Sequence, residues 1–305
     1  MALFRPPQTF MGAPASGNAR SSRAVIIGMP FDCGTHPVRI GSRLGPAAIR
    51  EQSALLRPND PVTDTNPLAL LDVVDLGDAA VTPSRIEDSF AAIEDAVWHA
   101  VEAGAVPVTM GGDGAVTLPQ LRALHRKYPD LCVVHIDAHT DAYPIEGFNT
   151  ATTFSRAVEE GVLDPARSFH IGARGPVMVP GVYAHAEALG YTLVTMDQLM
   201  ARGAEAIFAA VADKVGGRPV YLCFDMDFFD PSAAPGVCTP TWGGASAHEG
   251  LAILRRCEAF NLVACDINTV SPPHDVGGMT AFLGATVMWN CLSMIANRER
   301  RPNQR

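Results

Sequence analysis

Short, almost continuous apolar runs alternate with longer amphipathic stretches along the chain. Such runs predict strands buried on both faces, as in a parallel sheet covered by helices. Seven strands are predicted, at Ala24–Met29, Ala105–Met110, Leu131–Ile136, Ser168–Ile171, Thr192–Thr195, Val220–Phe224 and Leu262–Asp266. Helical periodicity marks five stretches, at Ile86–Ala103, Thr117–Lys127, Ala204–Val215, His248–Phe260 and Thr280–Asn297. This alternation predicts an α/β fold with helices on both faces of a mostly parallel sheet.

The pattern also predicts one domain with two short extensions. Residues 23–297 form the predicted domain, because no internal repeat or linker interrupts the alternation. Residues 1–22 are rich in Pro, Gly, Ala and Ser, and we expect an irregular arm that is mobile or lies on a neighbouring subunit. Residues 298–305 form a basic, solvated tail.

Composition narrows the class of protein. The 305 residues carry a formal charge of −9, and phosphate binding needs clustered Lys and Arg, so nucleic acid and anionic membranes are not expected partners. We find no apolar run of the roughly 18–20 residues that span a bilayer and no signal-peptide core. The seven scattered cysteines fit reduced thiols, so we expect a cytoplasmic protein.

Acidic residues cluster where three predicted strands end. One strand runs into Gly111-Gly112-Asp113-Gly114, a second into Asp137-Ala138-His139-Thr140-Asp141, and a third into Asp225-Met226-Asp227. Ligands bind at the carboxyl ends of strands in open parallel sheets, and alternate residues of an extended segment point the same way. We therefore expect these side chains to converge.

Several buried carboxylates need compensating cations, so the convergence predicts a metal cluster. Bridging carboxylates with an imidazole suit two divalent ions of the Mn, Ni or Zn type, about 3.5–4 Å apart. The alternative is that these are loop-starting Asp residues that cap helices. Finding two such motifs in one chain favours the metal site.

At these motifs the sequence resembles the ureohydrolase family of arginases and agmatinases. The resemblance extends over nearly the whole chain, through Gly41-Ser42-Arg43-Leu44-Gly45-Pro46, Asp75-Leu76-Gly77-Asp78, Ile171-Gly172-Ala173-Arg174-Gly175, Pro235-Gly236-Val237-Cys238-Thr239-Pro240 and Ser271-Pro272-Pro273-His274-Asp275. It implies a doubly wound α/β/α sandwich, assembly as trimers or hexamers, and two Mn or Ni ions whose bridging hydroxide attacks a guanidinium carbon.

The resemblance also assigns roles to residues by position. Asp137 and Asp225 correspond to bridging ligands, His139 and Asp227 complete one metal site, and Asp141 belongs to the other. Asp230 corresponds to a carboxylate that supports the ligands from outside.

Four departures fall where the family's chemistry occurs. The family's Gly-Gly-Asp-His ends here in Gly114, which removes an imidazole ligand; Thr150 stands where a proton-shuttling His is usual, and Thr269 where a Glu grips the guanidinium. A proton shuttle is typically worth 10²–10⁴ in rate. Trp242 replaces a smaller residue, which we expect to narrow the pocket. His274 is the best candidate substitute for the missing His. His135 lies inside an apolar strand, so we expect it to be a packed core residue.

Each departure alone is compatible with altered specificity, but loss of a ligand, a shuttle and a clamp together indicates a site-degenerate subunit. We expect such a subunit to support an active paralogue in a heteromeric ureohydrolase. The heteromeric metformin hydrolases, nickel enzymes that cleave a biguanide to guanylurea and dimethylamine, are the precedent this resembles. The alternatives are a self-sufficient hydrolase of agmatinase, guanidinobutyrase or guanidine hydrolase type, and a metal-free scaffold. Because one metal site keeps its ligands and the other does not, we expect one Ni or Mn ion per chain.

Overall fold

A single parallel sheet of eight strands organises the chain in the computed structural model, which describes residues 8–33 and 38–300. The strands are β1 (Ala24–Gly28), β2 (Val74–Asp78), β3 (Val106–Met110), β4 (Cys132–Ile136), β5 (Phe169–Ala173), β6 (Thr192–Thr195), β7 (Pro219–Asp225) and β8 (Asn261–Asn268). Their spatial order is β2-β1-β3-β8-β7-β4-β5-β6. Seven of these strands match the prediction. β2 was missed because its sequence, Val-Asp-Leu-Gly-Asp, is only half-buried at the sheet edge and lacks a continuous apolar run.

In the described residues, ten α-helices connect or cover the strands. They are α1 (Gly45–Ser53), α2 (Pro67–Leu70), α3 (Ile86–Glu102), α4 (Thr117–His125), α5 (Thr153–Glu159), α6 (Val182–Ala188), α7 (Met196–Arg202), α8 (Ala204–Val215), α9 (Ala247–Arg255) and α10 (Met279–Arg300). The five predicted helices are present. The additional ones have nine residues or fewer, too short for a clear 3.6-residue period.

Two hydrophobic cores lie on opposite faces of the sheet. In β1, Ala24 and Ile26 belong to one core, and Val25 and Ile27 to the other, because successive strand residues point to opposite faces. The first core contains residues of α1 and α7–α10, and the second contains residues of α3–α6. The three-layer α/β/α prediction is confirmed.

The described part of the arm, residues 8–22, packs on its own chain. Phe10 is fully buried in the first core, and its backbone N–H donates to Asp75 Oδ2 at 2.9 Å. Arg50 pairs with the same carboxylate at 2.8 Å. A buried aromatic ring and a buried ion pair thus fix the arm, although its backbone is irregular.

Helix α10 corrects a second expectation. It is long and apolar enough to cross a membrane, but 67% of its most apolar window is buried inside the fold. Ala281, Ala285 and Met288 belong to the first core. Its apolar character is therefore explained by core packing.

Candidate metal centre

Two neighbouring strands bring the acidic motifs together. β4 and β7 are paired in parallel with Ile136 opposite Phe224, so Asp137 and Asp225, the next residue on each strand, leave the sheet side by side. The central strands β3, β8, β7 and β4 end at one edge, where strand order reverses relative to chain order. This is the ligand-binding position of doubly wound sheets.

The predicted ligands converge at this edge. His139 Nδ1 lies 3.3 Å from Asp137 Oδ1 and 3.2 Å from Asp227 Oδ2. These three side chains offer ligand atoms within 4.8 Å of one another, and a second group with the same spacing contains Asp137 and Asp141. Asp225 lines the same cavity as Asp141, His139 and Asp227. All four carboxylates are almost fully buried.

Burial and mutual repulsion dominate the electrostatics of these carboxylates. Burial, and then the charge of Asp137, raises the pKa of Asp141 well above its usual value. Burial with the charges of Asp227 and Asp137 does the same to the pKa of Asp225. For Asp137, burial is outweighed by His135 and His139, so its pKa is lowered. Burial opposes ionisation of His139, but Asp227 and Asp137 raise its pKa well above the usual range.

This environment fits divalent cations. Carboxylate oxygens together with an imidazole nitrogen are the donors that Mn, Ni and Zn accept. Asp137 Oδ2 is buried and, among the described residues, has no hydrogen-bond partner of acceptable geometry. An acceptor that is buried and unsatisfied beside further carboxylates is explained by a cation. The capping alternative also holds in part, since Asp225 accepts from Asp227 N at 2.7 Å.

At position 114 the missing imidazole has been replaced by close packing. A Cβ atom added to Gly114 would lie 2.8 Å from Asp141 Oδ2 and 2.9 Å from Thr150 Cγ2. The Thr150 methyl group therefore occupies the space beside Gly114. Its hydroxyl is buried and has no hydrogen-bond partner among the described residues. The two substitutions are structurally coupled.

At the position of the family's guanidinium-binding Glu, Thr269 carries no charge. Its side chain instead binds Asp225, a candidate metal ligand. Its hydroxyl donates to Asp225 Oδ1 at 2.5 Å, and its backbone N–H donates to Gly112 O at 2.7 Å. Its φ of 68° is an unusual conformation for a β-branched residue. The site thus keeps a strained backbone position after losing the carboxylate that the resemblance places there.

Asp230 and Arg174, which lie near the site, bind backbone groups. Asp230 accepts from the backbone N–H groups of Gly243 (2.9 Å) and Gly244 (3.2 Å), so it anchors the loop that follows it. Arg174 donates to the backbone carbonyls of Asp227 and Thr241, at 2.7 and 2.8 Å. Through these bonds the guanidinium holds backbone carbonyl groups and not the carboxylates of the cluster.

One expectation about the rim was wrong. Trp242 does not narrow the pocket: it is 74% exposed and is not among the described residues that line the cavity. The role of His274 as a substitute for the missing His stays a prediction. His274 Nδ1 lies 2.9 Å from Ser271 Oγ and its Nε2 lies 3.3 Å from Val38 O, since the Pro272–His274 turn directs the ring to the rim.

Sequence reasoning missed one functional candidate, His135. Its Nε2 lies 2.8 Å from Asp137 Oδ2, and it forms the second ligand group with Asp137 and Asp141. The available signal was its position two residues before Asp137, which places both side chains on one face of β4. The surrounding apolar run concealed this signal.

A cavity of about 360 Å³ opens above the cluster. Besides the candidate ligands it is lined by Thr150 and Thr269 and by an apolar group, Ile40, Tyr143, Val177 and Met178. Arg39 contributes a cation, whose guanidinium donates to the carbonyls of Pro235 (2.7 Å) and Val237 (2.9 Å). This volume suits a small organic molecule.

Fold and donors together define an α/β protein with a carboxylate–imidazole cluster, suited to divalent ions, at the switch point of its sheet. Similarity to known proteins identifies the family. A sequence model of the Arginase family matches residues 22–294, and the chain belongs to this family.

Several similar proteins are named as hydrolases of guanidino compounds. The chain is 40% identical over 297 residues to a guanidinopropionase of Pseudomonas aeruginosa, covering 96% of this chain and 93% of that protein. It is 36% identical to a human mitochondrial guanidino acid hydrolase, covering 93% and 81%. The structure of proclavaminate amidinohydrolase from Streptomyces clavuligerus superposes with a TM-score of 0.92 at 33% identity, covering 96% and 98%.

Proposed function

We propose that this chain is a site-degenerate, metal-binding subunit of a heteromeric ureohydrolase that cleaves a C–N bond of a guanidine or biguanide compound. One observation carries the proposal. The three substituted positions meet at one cavity, where Thr150 and Thr269 line the wall and Gly114 packs against Thr150. The positions that carry the family's ligand, proton shuttle and clamp are thus substituted together around one cavity.

The remaining residues support metal binding more than turnover. Asp137, His139 and Asp227 would hold a divalent ion, and Asp141 and Asp225 would contribute to a second. Such ions lower the pKa of bound water and polarise a guanidinium carbon. A threonine hydroxyl at position 150 does not titrate near neutral pH as an imidazole does, so proton transfer to the leaving amine has no donor there.

A second candidate is a self-sufficient hydrolase of guanidino compounds with altered specificity. The similar proteins support this candidate better than the first, because they include a guanidinopropionase and a guanidinobutyrase, at 40% and 37% identity. The cavity wall also supports it, since Ile40, Val177 and Met178 suit a substrate with an apolar substituent.

The partner in the first candidate is a paralogous subunit that carries the missing groups, in a trimer or hexamer. We also infer a cytoplasmic location, because all seven cysteines, which lie within the described residues, carry free thiols.

Turnover of the purified chain decides between the candidates. The chain is loaded with Mn or Ni and assayed on 3-guanidinopropionate, 4-guanidinobutyrate, agmatine, guanidine and a dimethylbiguanide, alone and mixed with a paralogue from the same genome. We expect negligible product from the chain alone and increased turnover by the paralogue in the mixture. Turnover of about 1 s⁻¹ by the chain alone, within the ordinary enzyme range, would establish the second candidate.

A further inference from the structure

A second imidazole lies within the carboxylate cluster, near Asp141, on the side where Gly114 supplies no ligand. His135 is 1% exposed at the end of β4, and its Nε2 lies 2.8 Å from Asp137 Oδ2. The ligand atoms of His135, Asp137 and Asp141 lie within 4.8 Å of one another. This spacing matches three donors around one divalent ion, with metal–ligand distances of about 2.0–2.2 Å.

Asp137 has one imidazole beside each of its two oxygens. Oδ1 lies 3.3 Å from His139 Nδ1, and Oδ2 lies 2.8 Å from His135 Nε2. Despite that short distance, Oδ2 has no hydrogen bond of acceptable geometry among residues 8–33 and 38–300. A nitrogen and an oxygen that are close but misaligned for a hydrogen bond can both face a common cation. Asp137 then bridges two ions, each with its own imidazole.

His170 gives His135 the support that metal-binding imidazoles usually have. The two Nδ1 atoms are 2.9 Å apart, and both rings are buried. A ligating histidine normally donates its other ring N–H to an acceptor, which fixes the tautomer and orientation. If His135 Nε2 coordinates an ion, the His135 proton lies on Nδ1 and is donated to His170 Nδ1, and His170 then carries its own proton on its buried Nε2.

Aromatic neighbours hold this pair in place. Phe154 lies 4.5 Å from the His135 ring and Tyr191 lies 4.4 Å from the His170 ring, between ring centroids. Neither imidazole can swing away without disturbing a packed core. The pair is therefore a rigid donor.

We propose that His135 Nε2 is the nitrogen ligand of the second metal position, replacing the imidazole that Gly114 cannot supply, and that His170 orients it. The second position then has His135, Asp137 and Asp141 as donors. The chain accordingly binds two divalent ions, rather than the single ion expected from the motifs. The proposal concerns metal binding without substrate, so it holds or fails independently of the subunit role.

Manganese titration of the metal-free full chain tests the proposal. Electron paramagnetic resonance of free Mn²⁺ gives the number of ions bound, and a spin-coupled signal reports two ions in one cluster. We expect two ions and a coupled signal for the unmodified chain, and one ion without coupling for His135→Phe. The matched control His274→Phe, at the rim, keeps both.

Two further variants separate coordination from a hydrogen bond and from misfolding. His135→Gln retains an N–H donor for Asp137, so it restores the second ion only if His135 acts as a hydrogen-bond donor; we expect no restoration. His170→Leu leaves His135 in place, and we expect second-ion affinity to fall by roughly 10–100-fold with the first ion unchanged.

A spectroscopic readout on the unmodified chain removes dependence on the variants. Pulsed electron resonance of the Mn-loaded protein should show two imidazole nitrogens, one from His139 and one from His135. A single bound ion, a single coupled nitrogen, or a spin-coupled pair that persists in His135→Phe would overturn the proposal.

Discussion

The two sides of the carboxylate cluster both lie at the ends of buried parallel strands, but only one side keeps the ligand side chains that the resemblance implies. On the β4–β7 side, Asp137, His139 and Asp227 contact one another at 3.2–3.3 Å. On the β3–β8 side, Gly114 and Thr269 stand where the resemblance places an imidazole and a carboxylate. That side nevertheless keeps a buried hydrogen-bond network.

Buried Asp266 on β8 is the centre of this network. It accepts hydrogen bonds from Thr109 and Thr117 at 2.8 Å and from Tyr221 at 2.9 Å, which tie β8 to β3, α4 and β7. Catalytic side chains are not part of this network. The comparison shows that the fold is stabilised by groups other than those used in chemistry, so a site can lose donors while its framework persists.

The largest effect is expected on the side that kept its donors. Asp227→Asn removes a carboxylate from the group that includes His139, so affinity for the ion beside His139 should fall by more than the roughly 100-fold of an outer-shell change. Asp230→Asn, at a partly exposed loop anchor, is the matched control and should change affinity only slightly. Isothermal titration with Mn²⁺ measures both. Equal losses in the two variants would contradict the assignment.

On the substituted side, the Thr269 hydroxyl should contribute to stability. Thr269→Val removes the hydrogen bond to Asp225 Oδ1 while keeping the side-chain shape, and we expect a loss of roughly 1–3 kcal/mol in the free energy of unfolding of the metal-free protein. Urea unfolding measures this loss, and Thr269→Ser should keep most of the stability. If the Val variant is as stable as the unmodified chain, the hydrogen bond to Asp225 does not contribute to stability.

Restoring the imidazole at position 114 should succeed only when its neighbour is reduced. Gly114→His alone overpacks the space beside Thr150 and should destabilise the chain by about 1–3 kcal/mol, with no gain in metal affinity. Adding Thr150→Ser removes the clashing methyl group. We expect the pair to increase metal affinity by about tenfold, equivalent to 1.4 kcal/mol. Dialysis with elemental analysis compares the two, and equal affinities would argue against the packing conflict.

The smallest effect is a pH dependence, which compares the cluster with and without metal. The raised pKa values of Asp141, Asp225 and His139 mean that the folded, metal-free state prefers the protonated forms. Their stabilisation is fully present below the unfolded-state values, about 4 for the carboxyls and 6.5 for His, and is lost as pH rises. Asp137, with a lowered pKa, has the opposite sign but acts only at about pH 4 and below.

Calorimetry in a chelator should therefore show Tm falling by roughly 2–8 °C between about pH 7 and pH 9, above the range in which the pKa of His170, lowered by burial, has the opposite effect. With saturating Mn²⁺ the difference between metal-bound and metal-free Tm should widen over the same range, because the metal competes with protons for these ligands. A metal-free Tm that rises with pH would show that the carboxylates are compensated in another way.

The sequence by itself determined the layers of the fold and the carboxylates that converge. Strands buried on both faces have continuous apolar runs, and a helix as long as Ile86–Glu102 repeats its apolar face often enough to be recognised. Asp137 and Asp225 follow such strands directly, so their meeting at one sheet edge followed from the parallel order.

Only the tertiary structure decided what fills the substituted positions. Gly114 packs against Thr150, 36 residues later, and Thr269 binds Asp225, 44 residues earlier. His135 and His170 meet because β4 and β5 are paired with these residues opposite each other. A linear pattern records the side-chain direction along one strand, whereas strand register and the packing of distant loops determine which side chains share a cavity.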